Sequence, residues 1–180
     1  PDIGILPLLG LVLAGGAGAA SLAPLWKRNL RRTPLFTWGM VIAHLGIAVS
    51  LAGVAAESAF TKETLVAARP GDVVAAGPYS IRFDSVEPIA GPNWTAIQAK
   101  LTARRGDGEP FVLEPQARMF TSPPTETSEA AIATRLGGQL YTVLGKGDMR
   151  GRWQLRLWWK PFVSLIWLGG VLIALGGLLS

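Results

Sequence analysis

The sequence has 180 residues, 49% hydrophobic and 16% charged, with a formal net charge of +5 and no cysteine. It is too apolar for an ordinary soluble domain and too polar to lie wholly in a membrane. Without cysteine the chain has no disulfide framework, thiol catalysis or thiolate metal site, and its basic excess is gathered in one short loop instead of a stripe along a surface, so no nucleic-acid partner is expected.

Residues 1–25 hold the first hydrophobic run, which starts at Ile3. No basic leader precedes it and no small-residue cleavage site comes after it, so a retained membrane span is expected, not a signal peptide. The first residue is Pro1 and not Met, which suggests a piece of a longer protein. Ala14, Gly15, Gly16, Gly18, Ala19 and Ala20 give several small-xxx-small spacings, which let helix backbones approach closely in lipid.

The loop 26–34 carries Lys27, Arg28, Arg31 and Arg32 and no acid. A basic excess in a short loop beside spans marks the cytoplasmic side. Residues 35–57 hold the second span. Its uncharged part, Leu35–Ala56, would extend about 33 Å as a helix. By alternation the segment 58–158 lies outside, in the periplasm of a Gram-negative bacterium, and residues 159–180 form the third span and return inside. Pro161 suits a first helical turn, where a missing N–H costs little.

The outer segment reads as antiparallel β structure. Tyr79, Ile81 and Phe83 alternate with Ser80, Arg82 and Asp84; Ile97, Ala99, Leu101 and Ala103 alternate with polar neighbours; so do Trp153, Leu155 and Leu157. Period two is the pattern of half-buried strands. Gly106-Asp107-Gly108 and Ser122–Pro124 supply turns, and Glu129–Leu136 could form a short helix. Six or seven strands in about a hundred residues suit a small barrel or a sandwich, with no basis for choosing. Trp153, Trp158, Trp159 and Lys160 just before the third span read as an interfacial belt, with a surface for haem or a partner as the alternative.

The chemistry-bearing inventory is short. His44, the single histidine, lies inside the second span, where an ionisable side chain is costly and tends to be functional or to face a bundle. From Arg32 the chain climbs about 18 Å to His44, which puts it near or beyond the midplane. At 100° per residue, Gly39, Ala43, Gly46, Ser50 and Gly53 form one narrow packing stripe, and His44 lies about 140° from Gly39. A neutral imidazole in an apolar site is a good axial ligand for haem iron. The other reading is a histidine hydrogen-bonded to a neighbouring helix, and the residues alone do not choose. The outer carboxylates are scattered on polar faces, and Gly169-Gly170 and Gly176-Gly177 lie within a span as helix-packing devices, not as phosphate loops.

Several stretches resemble the C-terminal part of the CcmF family, the large membrane subunit of the bacterial cytochrome c haem lyase. They are Gly39-Met40-Val41-Ile42-Ala43-His44-Leu45-Gly46; Thr127-Ser128-Glu129-Ala130-Ala131-Ile132 followed by Leu140-Tyr141-Thr142-Val143-Leu144-Gly145; and Lys160-Pro161-Phe162-Val163 through Ile166-Trp167-Leu168-Gly169-Gly170 to Gly176-Gly177. The resemblance covers nearly the whole chain in matching order. It implies a role in system I cytochrome c maturation, in the bacterial inner membrane. There the family takes haem from the periplasmic chaperone CcmE and, with CcmH and CcmI, presents it to the Cys-x-x-Cys-His motif of an apocytochrome c. His44 matches one of two family histidines proposed to ligate the incoming haem, so it is the expected haem-iron ligand. The haem expected is b-type and transient. The family's tryptophan-rich segment, the partner histidine and the two histidines for a resident haem are not in this sequence. They would belong to the remainder of a CcmF-like subunit, so the chain is expected not to catalyse alone. The competing expectation is a non-enzymatic, membrane-anchored extracytoplasmic scaffold or transporter accessory subunit, held in membrane lipid, whose histidine only packs.

Overall fold

The computed structural model describes residues 3–180. In chain order it contains α1 (Ile5–Ser21), two 3₁₀ turns (Ala23–Leu25 and Leu30–Arg32), α2 (Leu35–Phe60), β1 (Lys62–Ala68), β2 (Val73–Ala76), β3 (Tyr79–Ala90), β4 (Trp94–Arg105) and β5 (Phe111–Leu113). There follow β6 (Gln116–Thr121), β7 (Pro124–Glu129), β8 (Ala131–Arg135), β9 (Gly138–Gly147), β10 (Trp153–Pro161) and α3 (Val163–Leu179). The chain divides into two compact units. One comprises Pro1–Thr61, Arg135–Gly138 and Pro161–Ser180; the other comprises Lys62–Thr134 and Gln139–Lys160.

In the helical unit α2 packs on both other helices. Toward α3 it presents Gly39, Gly46 and Gly53, seven residues apart, and a methyl at Gly46 would stand 2.7 Å from the Gly169 carbonyl oxygen. The facing glycines of α3 are Gly169 and Gly176, whereas Gly170 and Gly177 look onto open space. Ser50 adds a hydroxyl bond to the Ile166 carbonyl at 3.3 Å. The packing stripe expected on α2 is therefore the α3 interface, because only residues without bulk let the two backbones come this close. Toward α1, the contact runs through Gly10 against Ala55, the buried Ala14, and Gly18 against Ala48.

Ile5–Leu25 and Leu35–Phe60 are long and apolar enough to cross a membrane. The third apolar helix has 17 residues, or about 26 Å, a few ångströms under a typical hydrocarbon core. It starts at Val163, and Pro161 closes β10 instead of opening the helix. The change of direction falls on Phe162, with φ at +66°.

The β unit is a sandwich. One sheet has the order β1-β10-β9-β8, the other β2-β3-β4-β6-β7 with β5 also paired to β4. Both contribute to a single core: Tyr79, Ile81, Phe83, Ala99, Leu101 and Ala103 from one, Leu140, Leu144, Leu155 and Leu157 from the other. These are the alternating positions expected from the sequence, and the open choice between barrel and sandwich falls to the sandwich because inner faces of two separate sheets share that core. The expected turns also form. Gly106, at φ +53°, lies between β4 and β5, and Ser122-Pro123 joins β6 to β7.

Three further expectations are corrected. Residues 129–136 are not helical: Ala131–Arg135 is β8, with Ala133 buried and Ile132 exposed. That is period two, and the Thr142 hydroxyl ties β9 to the Ala131 carbonyl at 3.1 Å, so sheet pairing overrides a weak local helix preference. Among the described residues there are ten strands, not six or seven, because short strands such as β2 and β5 carry too few residues to show a period. Finally, Trp159 is only 7% exposed and Trp153 packs against the core, so neither is an interfacial anchor. The strand alternation that buries Leu155 and Leu157 carries the side chains at 153 and 159 inward with them. Trp158 faces the other way, edge-on to Tyr141 at 5.3 Å with the Arg156 guanidinium 5.4 Å from its ring centre.

Candidate functional site

His44 is the tenth residue of α2, about 14 Å along the helix from Leu35. The uncharged stretch 35–56 has its midpoint between residues 45 and 46, so His44 lies within about 3 Å of its middle. That places it just on the Leu35 side of the middle of the uncharged stretch.

The ring is held by its own helix. Nδ1 of His44 lies 2.7 Å from the carbonyl oxygen of Met40, one turn earlier. A carbonyl can only accept, so Nδ1 carries the proton and donates it. The neutral ring then has its lone pair on Nε2, the nitrogen that would take a metal, in the same way that outer hydrogen bonds orient ligand histidines generally.

The residue is not packed away. His44 is exposed in this chain, unlike the neighbouring Val41 and Ala48 of α2, which are buried. It opens on a groove of about 330 Å³ between α1 and α2. On one side are Ala17, Ala20, Ser21 and Pro24; on the other His44 is flanked by Met40 and Ile47. The Ser21 hydroxyl turns back to the Ala17 carbonyl at 2.6 Å, so its polar demand is met within α1 and the wall it offers is largely carbon.

What this can do chemically is limited and specific. An imidazole in lipid with no polar neighbour is costly, and none of the groove's side chains is a carboxylate or a second histidine. Among the described residues no group of three or more His, Cys, Asp or Glu could hold a metal ion. A metal bound at Nε2 therefore takes its other ligands from a macrocycle and from outside these residues. Porphyrin iron meets that condition, because four of its six ligands come with the ring. The groove volume sits at the lower end of small-molecule sites, about 300–1,000 Å³, so it offers one wall and one ligand, not an enclosure.

Of the α1 residues opposite His44, Ala20 was singled out from the sequence as a helix-packing position, and Ala17, Ser21 and Pro24 were not. Their signal was present, since Ala17, Ala20 and Ser21 continue the small-residue run of α1. Only the helix pairing divides that run into Gly10, Ala14 and Gly18 at the contact and Ala17, Ala20 and Ser21 at the groove.

Known proteins agree with this architecture. Residues 59–161 match the family described as CcmF C-terminal beta-sandwich. The cytochrome c-type biogenesis protein CycK of Rhizobium meliloti (strain 1021) is 35% identical over 182 residues, covering 99% of this chain and 27% of its own length. The cytochrome c-type biogenesis protein CcmF of Escherichia coli (strain K12) is 37% identical over 177 residues, covering 97% of this chain and again 27% of its own length. A solved structure titled Cytochrome c Heme Lyase CcmF has the same fold, with a TM-score of 0.70 at 19% identity, over 97% of this chain and 33% of that one. These matches define the class: cytochrome c-type biogenesis proteins with a CcmF-type β-sandwich. The chain belongs to the CcmF family and corresponds to its C-terminal portion. It spans about a quarter of the length of these curated relatives.

Proposed function

We propose that this chain is part of a cytochrome c haem lyase subunit of the bacterial inner membrane, and that His44 is an axial ligand to haem iron through Nε2. The observation that carries the reading is the fixed tautomer: Nδ1 is committed to Met40, which leaves Nε2 directed to a ligand role at the middle of an uncharged helix. The orientation follows from Lys27, Arg28, Arg31 and Arg32 between α1 and α2, which keep that loop cytoplasmic and the β sandwich periplasmic.

The depth of His44 refines the expectation drawn from the resemblance. Sixteen residues separate it from the Phe60 end of α2, about 24 Å of helix. A haem ligated there lies at the depth of the helices, with one wall supplied by this chain and the rest by the remainder of the subunit. The iron and porphyrin supply electron-transfer chemistry when bound. This chain's share is to hold the ring from one side, keep water away with apolar helix faces, and orient the imidazole by anchoring its Nδ1 proton on the Met40 carbonyl. The remainder of the subunit supplies the second ligand. Haem for attachment comes from a CcmE-like chaperone, and CcmH- and CcmI-like subunits join in presenting it to the Cys-x-x-Cys-His motif of apocytochrome c.

The test is His44→Ala in the complete subunit, scored for the low-spin haem spectrum of the purified protein and for the yield of c-type cytochromes. Both should fall while membrane insertion persists. Wild-type haem content and cytochrome yield would leave the scaffold reading, in which the histidine only packs.

A further inference from the structure

We infer that the groove between α1 and α2 is itself part of the haem seat, with Ala17, Ala20 and Ser21 of α1 setting how near the porphyrin can come to His44. This rests on the haem reading of His44 and extends it to a second helix, whose residues carry no ligand atom of their own.

Three observations converge. The α1 wall and His44 border the same space of about 330 Å³. The close contact between the helices is made elsewhere, by Gly10 against Ala55, by the buried Ala14 and by Gly18 against Ala48. Ala20 is exposed at the groove rather than used in that contact. The wall is also chemically suited to a flat apolar ring: two methyl groups, a serine whose hydroxyl is occupied by the Ala17 carbonyl, and Pro24 at the end, where α1 has given way to a 3₁₀ turn. One ligating nitrogen opposite a small-residue wall is the pattern of a pocket in which a single polar group orients an otherwise apolar ligand. Larger residues at 17 or 20 would occupy the ligand's own volume.

The experiment uses the complete subunit carrying Ala20→Ser, Ala20→Val and Ala20→Leu, with Ala17→Leu as a second position and Ala19→Leu as a control off the groove. The readouts are haem-to-protein ratio, the low-spin absorption bands and elution as an intact subunit in detergent. Haem content should fall stepwise with side-chain size from Ala20→Ser through Ala20→Val, by about tenfold at Ala20→Leu, and stay at the wild-type level in Ala19→Leu. If Ala20→Leu itself fails to elute intact, Ala20→Val and Ala17→Leu carry the measurement. Wild-type haem content in the valine and leucine variants would overturn the proposal, as would equal loss in Ala19→Leu, which would indicate general damage to α1. Loss in His44→Ala with full retention in Ala20→Leu refutes the groove and leaves the ligand reading standing. Retention in His44→Ala with loss in Ala20→Leu removes the ligand reading, and with it the groove as a seat built around His44.

Discussion

The imidazole of His44 and the carbonyl of Met40 form a hydrogen bond of 2.7 Å within one turn of α2. Met40 and His44 both border the groove toward α1, so the same turn of helix supplies the acceptor that orients the ring and the edge of the space it serves. An i−4 carbonyl is available wherever a helix runs, so the orientation needs no partner side chain. It does need the proton on Nδ1, which leaves Nε2 as the unprotonated nitrogen.

If His44 contributes only a ligand nitrogen, its loss should be reversible by a free one. His44→Gly in the complete subunit should lose its low-spin haem bands and regain part of them when imidazole is added at millimolar concentration. Spectral titration checks this. A variant that keeps its bands without imidazole would show that the iron draws its ligand elsewhere.

Packing of α2 on α3 depends on missing side chains at named positions. Gly46→Ala would put a methyl 2.7 Å from both the Gly169 carbonyl oxygen and the Ile173 nitrogen, and should destabilise the helical unit by about 1–3 kcal/mol. Gly170→Ala meets nothing within 4 Å and should be neutral to this interface. Thermal unfolding in detergent followed by circular dichroism would separate the two, and equal midpoints would refute this account of the contact.

In the sandwich the turn between β2 and β3 depends on Gly77. It adopts φ +56°, and a methyl there would fall on the Trp159 indole. Gly77→Ala should therefore cost about 2 kcal/mol or more, from backbone strain plus displacement of a core tryptophan. Gly71, at φ +99° with open space around it, should show the strain alone. Urea unfolding monitored by tryptophan fluorescence gives the comparison, and a smaller loss at 77 than at 71 would contradict it.

Acid should weaken the same sandwich. Burial opposes charge on Asp84, but the Thr102 hydroxyl at 2.5 Å and the Arg82 guanidinium at 2.6 Å outweigh it, holding the carboxyl below its ordinary value. Asp148 is also lowered, first by the backbone N–H of Arg152 and then by the Arg152 side chain and the Arg150 N–H. A carboxyl lowered by folding stabilises the fold above its unfolded pKa, about 3.9, and that stability disappears as pH falls through the folded value. Asp84→Asn should thus be less stable than the parent at pH 7, with the gap closing below about pH 4. A gap independent of pH would assign the loss to hydrogen bonding alone.

Much of this was legible in the residues. Uncharged runs mark helices in an apolar medium, and Gly39, Gly46 and Gly53 already fall on one stripe, since helical geometry alone places residues seven apart on nearly the same face. The strands around Ile81, Leu101 and Leu155 were legible for the equivalent reason at period two. Residues 129–136 were not, because Glu129-Ala130-Ala131 has ordinary local helix preference, and Ala131–Arg135 becomes a strand only through its pairing with β9.

The sequence by itself determined where apolar segments begin and end, which residues alternate, where charge gathers, and that one imidazole lies in the middle of an apolar helix. Those are properties of spacing along the chain, and short-range geometry converts them directly into helices and strands. Only the tertiary structure decided that Trp159 points into a protein core, that two sheets share that core, and that His44 opens on a groove walled by α1. Each of these depends on which distant segment arrives at a given face, and close packing between segments far apart in sequence settles that choice.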